Sequence, residues 1–167
     1  MITNDHPTPP PLQRPLDGAR DLSEGLDIVL RRARKNVRIF DNRLDRAFDH
    51  PDRIAALRGV LRADPAHRVR IVLHDTANLP VDCPRLLALQ KQFGASLLIH
   101  QTEGQARRAS DPITAADDSA CVHRFHHEHA RASLMLDDAD AVRPLVLRFE
   151  EIWESSAPAI VPTVLGL

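Results

Sequence analysis

Val69-Arg70-Ile71-Val72-Leu73-His74-Asp75 is the stretch whose reading decides the fold. Val69, Ile71 and Leu73 alternate with Arg70, Val72 and His74. The run is short, rich in β-branched residues and stopped by polar Asp75, so it predicts a central strand. Ile54, Leu57, Val60 and Leu61 precede it at helical spacing. Leu86, Leu89, Gln90 and Phe93 follow at the same spacing, and then comes a second apolar run, Leu97-Leu98-Ile99. Parallel strands need a crossover of this kind, so helix, strand, helix, strand implies βαβ units. The expected fold class is α/β, with a mixed, largely parallel sheet flanked by helices.

Upstream, Val37-Arg38-Ile39-Phe40 reads as the first strand, and Asp21, with Glu24 three residues on, as the cap of a first helix. Within that helix Gly25 costs about 1 kcal/mol of propensity. Pro51 suits the start of a helix running to about Ala63, and Pro65 closes it. Asp82 is the expected cap, and Pro84 the first residue, of the next. Thr102 to Ser110 reads as a polar loop. Ile113 to Ala115 and Ala120 to His123 read as a hairpin turned by Asp117-Asp118-Ser119, and Ala132 to Leu136 as one more strand. Asp137 or Asp138 then caps a helix whose face carries Val142, Leu145, Val146, Phe149, Ile152 and Trp153. Val164-Leu165-Gly166-Leu167 is expected to pack down as an apolar end.

Residues 1–20 carry Pro7, Pro9, Pro10, Pro11 and Pro15 with no apolar period, which predicts a flexible arm; residues 21–167 form one domain. A chain of 167 residues with 43% hydrophobic and 27% charged residues has enough to bury a core. The net charge of −1 argues against nucleic acid as a partner. No apolar run is long enough for a membrane span, and no basic-then-apolar leader opens the chain. Cys83 and Cys121 are too few for a disulfide framework or a zinc finger. The expected compartment is the cytoplasm, with reduced thiols.

Catalytic signatures are sparse. The 6 glycines stand singly and build no phosphate loop, and no GxSxG elbow is present. The one dense feature is His123-Arg124-Phe125-His126-His127-Glu128-His129. Imidazoles two apart on a strand share a side, so His123, His127 and His129 are the candidate metal ligands. The spacing matches no standard zinc motif, and an exposed connection or a polar pocket explains the same residues.

The order of elements, with VRIVLHD, the LLALQKQFG helix and the closing RFEEIWESSAP…LGL, resembles one phospholipase D-like domain, in a small uncharacterised bacterial branch of that superfamily. The resemblance implies an HxKxxxxD motif, whose His attacks phosphorus while Lys holds phosphate oxygens. Counting back seven places from Asp117 or Asp118 gives Ser110 or Asp111; counting back five gives Pro112 or Ile113. Neither His nor Lys stands there, and Cys121 to Phe125 replaces the G-S-x-N segment. The expectation is a non-catalytic domain of binding or regulatory kind that needs no cofactor. Arg124, His126 and His127 are its candidates for contacting an anionic ligand or a protein partner. The family's pairing of two halves implies a homodimer. Two alternatives use the same histidines: a phosphodiesterase or nuclease-type hydrolase with a site rebuilt at 123–129, and a metal-binding protein.

Overall fold

The alternation around Val69 is realised as β3 (Arg68–Leu73), an interior strand of an eight-stranded mixed sheet. The structure is a computed structural model and describes residues 7–159. The other strands are β1 (Leu12–Leu16), β2 (Asn36–Asp41), β4 (Leu97–Thr102), β5 (Ile113–Ala116), β6 (Ala120–Arg124), β7 (Ala132–Leu136) and β8 (Ser156–Pro158). The helices are α1 (Ala19–Arg32), α2 (Pro51–Ala63), α3 (Leu79–Asp82), α4 (Pro84–Gln92) and α5 (Ala139–Glu154), with a 3-10 turn at Gly104–Arg108. The strand order is β1-β7-β6-β5-β2-β3-β4-β8. Parallel pairing joins β2 to β3 and β3 to β4; β5, β6, β7 and the two edges pair antiparallel.

Side-chain parity sorts the sheet into two faces. Val37, Ile39, Val69, Ile71, Leu73, Leu97 and Ile99 pack beneath α2 and α4 through Ile54, Leu57, Val60, Leu86 and Leu89. On the opposite face Phe40, Val72, Ile113 and Cys121 pack beneath α5 through Val142, Phe149 and Ile152. Ile71 and Phe149 are both 0% exposed, and burying such a side chain contributes about 1.5–3 kcal/mol.

Several boundaries differ from the sequence reading, each for a physical reason. Leu12–Leu16, expected within a flexible arm, is strand β1, paired antiparallel with β7 from Leu12↔Leu136 to Leu16↔Ala132. Pro15 is tolerated because β1 is an edge strand. Helix α1 starts at Ala19 after Gly18, whose φ of 92 suits glycine, so Asp21 lies in the first turn instead of at the cap. Gly25 of α1 is buried, and a Cβ there would lie 2.6 Å from Leu16 Cδ1; the propensity loss buys close approach of α1 to β1. The free amides of α4 are capped from a distance by Asp49, which accepts from Arg85 N–H (3.0 Å) and Leu86 N–H (2.8 Å). Asp82, the expected cap, instead ends α3 and receives Arg46 Nε (3.1 Å). Asp138 caps α5 as expected, accepting from Ala141 N–H at 3.0 Å. The expected packing of 164–167 lies outside the described residues. Among the described residues no helix is long and apolar enough to cross a membrane.

Candidate functional site

Because β2, β3 and β4 run parallel, their carboxyl ends lie side by side, and the chain following each collects polar groups there. A cleft of about 560 Å³ opens at this edge, lined among others by Asn42, His74, Gln101, Arg107, Ser110 and His127. Open α/β sheets receive ligands at carboxyl ends where the strand order diverges, and β2 stands between β3 and β5 in this way.

His74 forms a wall of the cleft. Its Nε2 lies 2.6 Å from the Ala109 carbonyl, which can only accept, so Nε2 carries the proton. Nδ1 lies 2.6 Å from Thr102 Oγ1 and is held by a hydrogen bond with that hydroxyl. Phe40 packs against the ring in a perpendicular arrangement at a centroid distance of 5.2 Å. With both nitrogens engaged, His74 has no lone pair left for attack on phosphorus.

His127 is placed differently. Its N–H donates to the Ser110 carbonyl at 2.8 Å, pinning the 125–131 loop to the chain that leads into β5. Its ring Nδ1 is buried and has no hydrogen-bond partner; among the described residues Asn78 Oδ1 is the one other such side-chain atom. A polar atom left this way costs about 1–3 kcal/mol. Arg124 spends its guanidinium on the same loop, donating from Nη2 to the His127 carbonyl (2.7 Å) and the His129 carbonyl (3.1 Å). Arg124 Nη1 also lies 3.7 Å from Asp41 Oδ2. Burial pushes the Asp41 carboxyl up to about 6, against the opposing pull of Arg124, the Asn42 N–H and His127.

The remaining candidates lie apart. His126 stacks on His127 with centroids 4.4 Å apart, and its Nδ1 accepts from the Glu128 N–H at 3.2 Å. His123 Nε2 is bonded to Asp111 Oδ2 at 2.8 Å, and Arg148 grips the same carboxylate through Nε (2.9 Å) and Nη2 (2.5 Å). Burial would raise Asp111, but the Arg148 and His123 hydrogen bonds outweigh it and hold it below the usual carboxylate range. The metal-ligand set His123, His127 and His129 is thus not assembled. Strand β6 ends at Arg124, so the two-residue alternation does not carry on to 127 and 129. Among the described residues no three His, Cys, Asp or Glu side chains gather to hold a metal ion.

Asp41 is not among the candidate residues read from the sequence, since an acid ending a strand does not by itself mark a site. Ser110 could be found by its count of seven before Asp117, and the cleft contains it.

The sheet order and this cleft define a phospholipase D-like fold, and solved structures of the same shape bear it out. Nuc of Salmonella typhimurium, a phospholipase D family member, superposes with a TM-score of 0.61 at 13% identity, over 90% of this chain and 99% of that one. NucT from Helicobacter pylori gives 0.61 at 14%, over 90% and 100%. TrmBL2, an archaeal chromatin protein described as showing a novel mode of DNA binding, gives 0.60 at 16%. The match covers 95% of this chain but 57% of TrmBL2. No curated protein sequence matches this chain. The chain belongs to the family described as Domain of unknown function (DUF7931), which matches residues 19–161.

The reading of the charge balance as arguing against nucleic acid is corrected here, because TrmBL2, a protein of this fold, is described as a chromatin protein that binds DNA. A net charge of −1 sums the whole chain, whereas binding depends on local placement. Asp117 and Asp49 spend their charge on backbone amides and Glu150 is ion-paired inside, while Arg107 and Arg108 are exposed beside the cleft.

Proposed function

We propose that this chain is a non-catalytic phospholipase D-like binding domain whose cleft receives a phosphodiester. The observation that carries the reading is the buried, unpartnered Nδ1 of His127 on a ring that lines the cleft. As an N–H donor it suits a phosphate oxygen, and the exposed guanidiniums of Arg107 and Arg108 supply the attraction. Ser110 and Pro112 stand where the superfamily motif has His and Lys, and His74 has both ring nitrogens occupied. That combination favours retention of a ligand over its cleavage.

DNA is the first phosphodiester to try, since TrmBL2 is described as binding it. Fluorescence anisotropy of a labelled oligonucleotide should report binding that weakens as salt rises. His127→Ala should weaken it about tenfold, the effect of one hydrogen bond to a charged group. Recovery of the oligonucleotide at full length completes the expected result. Absence of binding at low salt ends the reading.

A second reading, the hydrolase rebuilt on the 123–129 histidines, is favoured by the elevated Asp41 carboxyl beside His127, a pairing able to move a proton. Bis(p-nitrophenyl) phosphate tests it. Release of nitrophenol that is lost in His127→Ala supports it, and no release with any divalent metal removes it.

A further inference from the structure

We infer that the groove between α1 and α2 is a docking surface for an acidic amphipathic helix of a partner protein. This groove lies apart from the cleft, shares no residue with it and does not depend on the cleft reading. It encloses about 410 Å³, and its floor is apolar: Leu30, Ala33, Ala55, Ala56, Val60 and Ala63, with Gly59 between them. Gly59 is exposed, and a Cβ built on it would meet nothing within 4 Å, so the floor is open to a visitor at that point.

The rim is cationic. Arg31 and Arg34 line the groove, Lys35 follows at the end of α1, and Arg62 lies one turn beyond Gly59 on α2. All four are exposed, and among the described residues none is ion-paired with a carboxylate. No acid lines the groove. Toward the start of α1 the charges cancel, because buried Arg53 is bound to Asp27 at 2.6 Å and to Ser23 Oγ at 2.8 Å. Unpaired cations thus flank the apolar floor.

The two features together select the occupant. The floor backbone amides from Ala55 to Ala63 lie within helix α2, which uses its own N–H groups, so the floor offers few donors to a sugar–phosphate backbone. An amphipathic helix uses both features: its apolar stripe covers the floor, small residues permit close approach, and flanking carboxylates reach the four cations.

The test is anisotropy of a labelled peptide of about 20 residues, built from Glu, Leu and Ala with helical periodicity, titrated with the full chain. The parent protein should bind it. Arg31→Glu combined with Arg34→Glu should weaken binding by about tenfold or more, while His127→Ala leaves it unchanged. Gly59→Leu should abolish it by filling the floor. That variant raises helix propensity in open space, so loss of binding with an unchanged melting temperature cannot come from unfolding. Unaltered binding in Gly59→Leu, no binding by the parent, or preferential binding of an oligonucleotide that depends on Arg31 and Arg34 overturns the proposal.

Discussion

Two clusters of charge sit on the same sheet and differ in how completely they are satisfied. Beneath α5, Glu150 is gripped by Arg70 through Nη1 (2.8 Å) and Nη2 (2.5 Å), and by Arg38 Nε at 3.1 Å. The Arg70 guanidinium lies 5.3 Å from the Phe149 ring and 5.2 Å from the Trp153 ring. The Arg70 hydrogen bond holds Glu150 below its ordinary range despite burial. At the cleft, the acid is pushed upward, the arginine is diverted to loop carbonyls, and the imidazole keeps a buried nitrogen without a partner. Similar ingredients serve two ends. A closed network orients a helix on its sheet, whereas an incomplete one, on the proposed function, keeps free energy available for a ligand.

The sharpest separation of the two comes from pH. The folded pKa of Asp41 lies above its unfolded value, so its contribution is fully present below about pH 4 and lost as pH rises through about 6. Asp41→Asn removes that loss. Urea denaturation should show the variant gaining on the parent by on the order of 2–3 kcal/mol between pH 4 and pH 7. A flat difference would place Asp41 in the satisfied class.

Glu150 should behave in the opposite sense. Its folded pKa is lowered, so its contribution holds above the unfolded value and fades as pH falls through the acid range. Glu150→Ala leaves two guanidiniums, 12% and 19% exposed, facing no carboxylate from α5. A loss of about 2 kcal/mol at pH 7 is expected, discounted from fully buried pairs because the Glu150 side chain is 35% exposed. Arg148→Ala should cost less, about 1 kcal/mol, since Arg148 is 43% exposed and His123 still serves Asp111. Smallest of all should be the net stability change in His127→Ala, within about 0.5 kcal/mol, because relief of the unpartnered Nδ1 offsets the lost stacking on His126. Calorimetric melting orders these last three. A large drop for His127→Ala would mean that the ring is a structural member.

Elements with strong local chemistry were readable in advance. The alternation at Val69–Leu73, Pro51 at a helix start and Asp138 at a cap each act within a few residues. Strand β1 was not, because Arg14 and Pro15 carry no strand signal and the pairing comes from β7, far along the chain. The same holds for the Asp49 cap of α4. At the cleft, the density of histidines drew attention to the 123–129 segment, of which His127 lines the cleft, but did not give its arrangement. Parity arguments need a strand, and the chain leaves β6 at Arg124. That Asp41 would face Arg124 is a tertiary event between residues with nothing local to announce it.

The most direct test of the account follows the histidine ring signals by NMR while dimethyl phosphate, the smallest diester, is added to the full chain. The His127 resonances should move in a saturable way while those of His74, locked between Thr102 and Ala109, stay in place. Movement of His74 with His127 unmoved, or no movement of either, would contradict it.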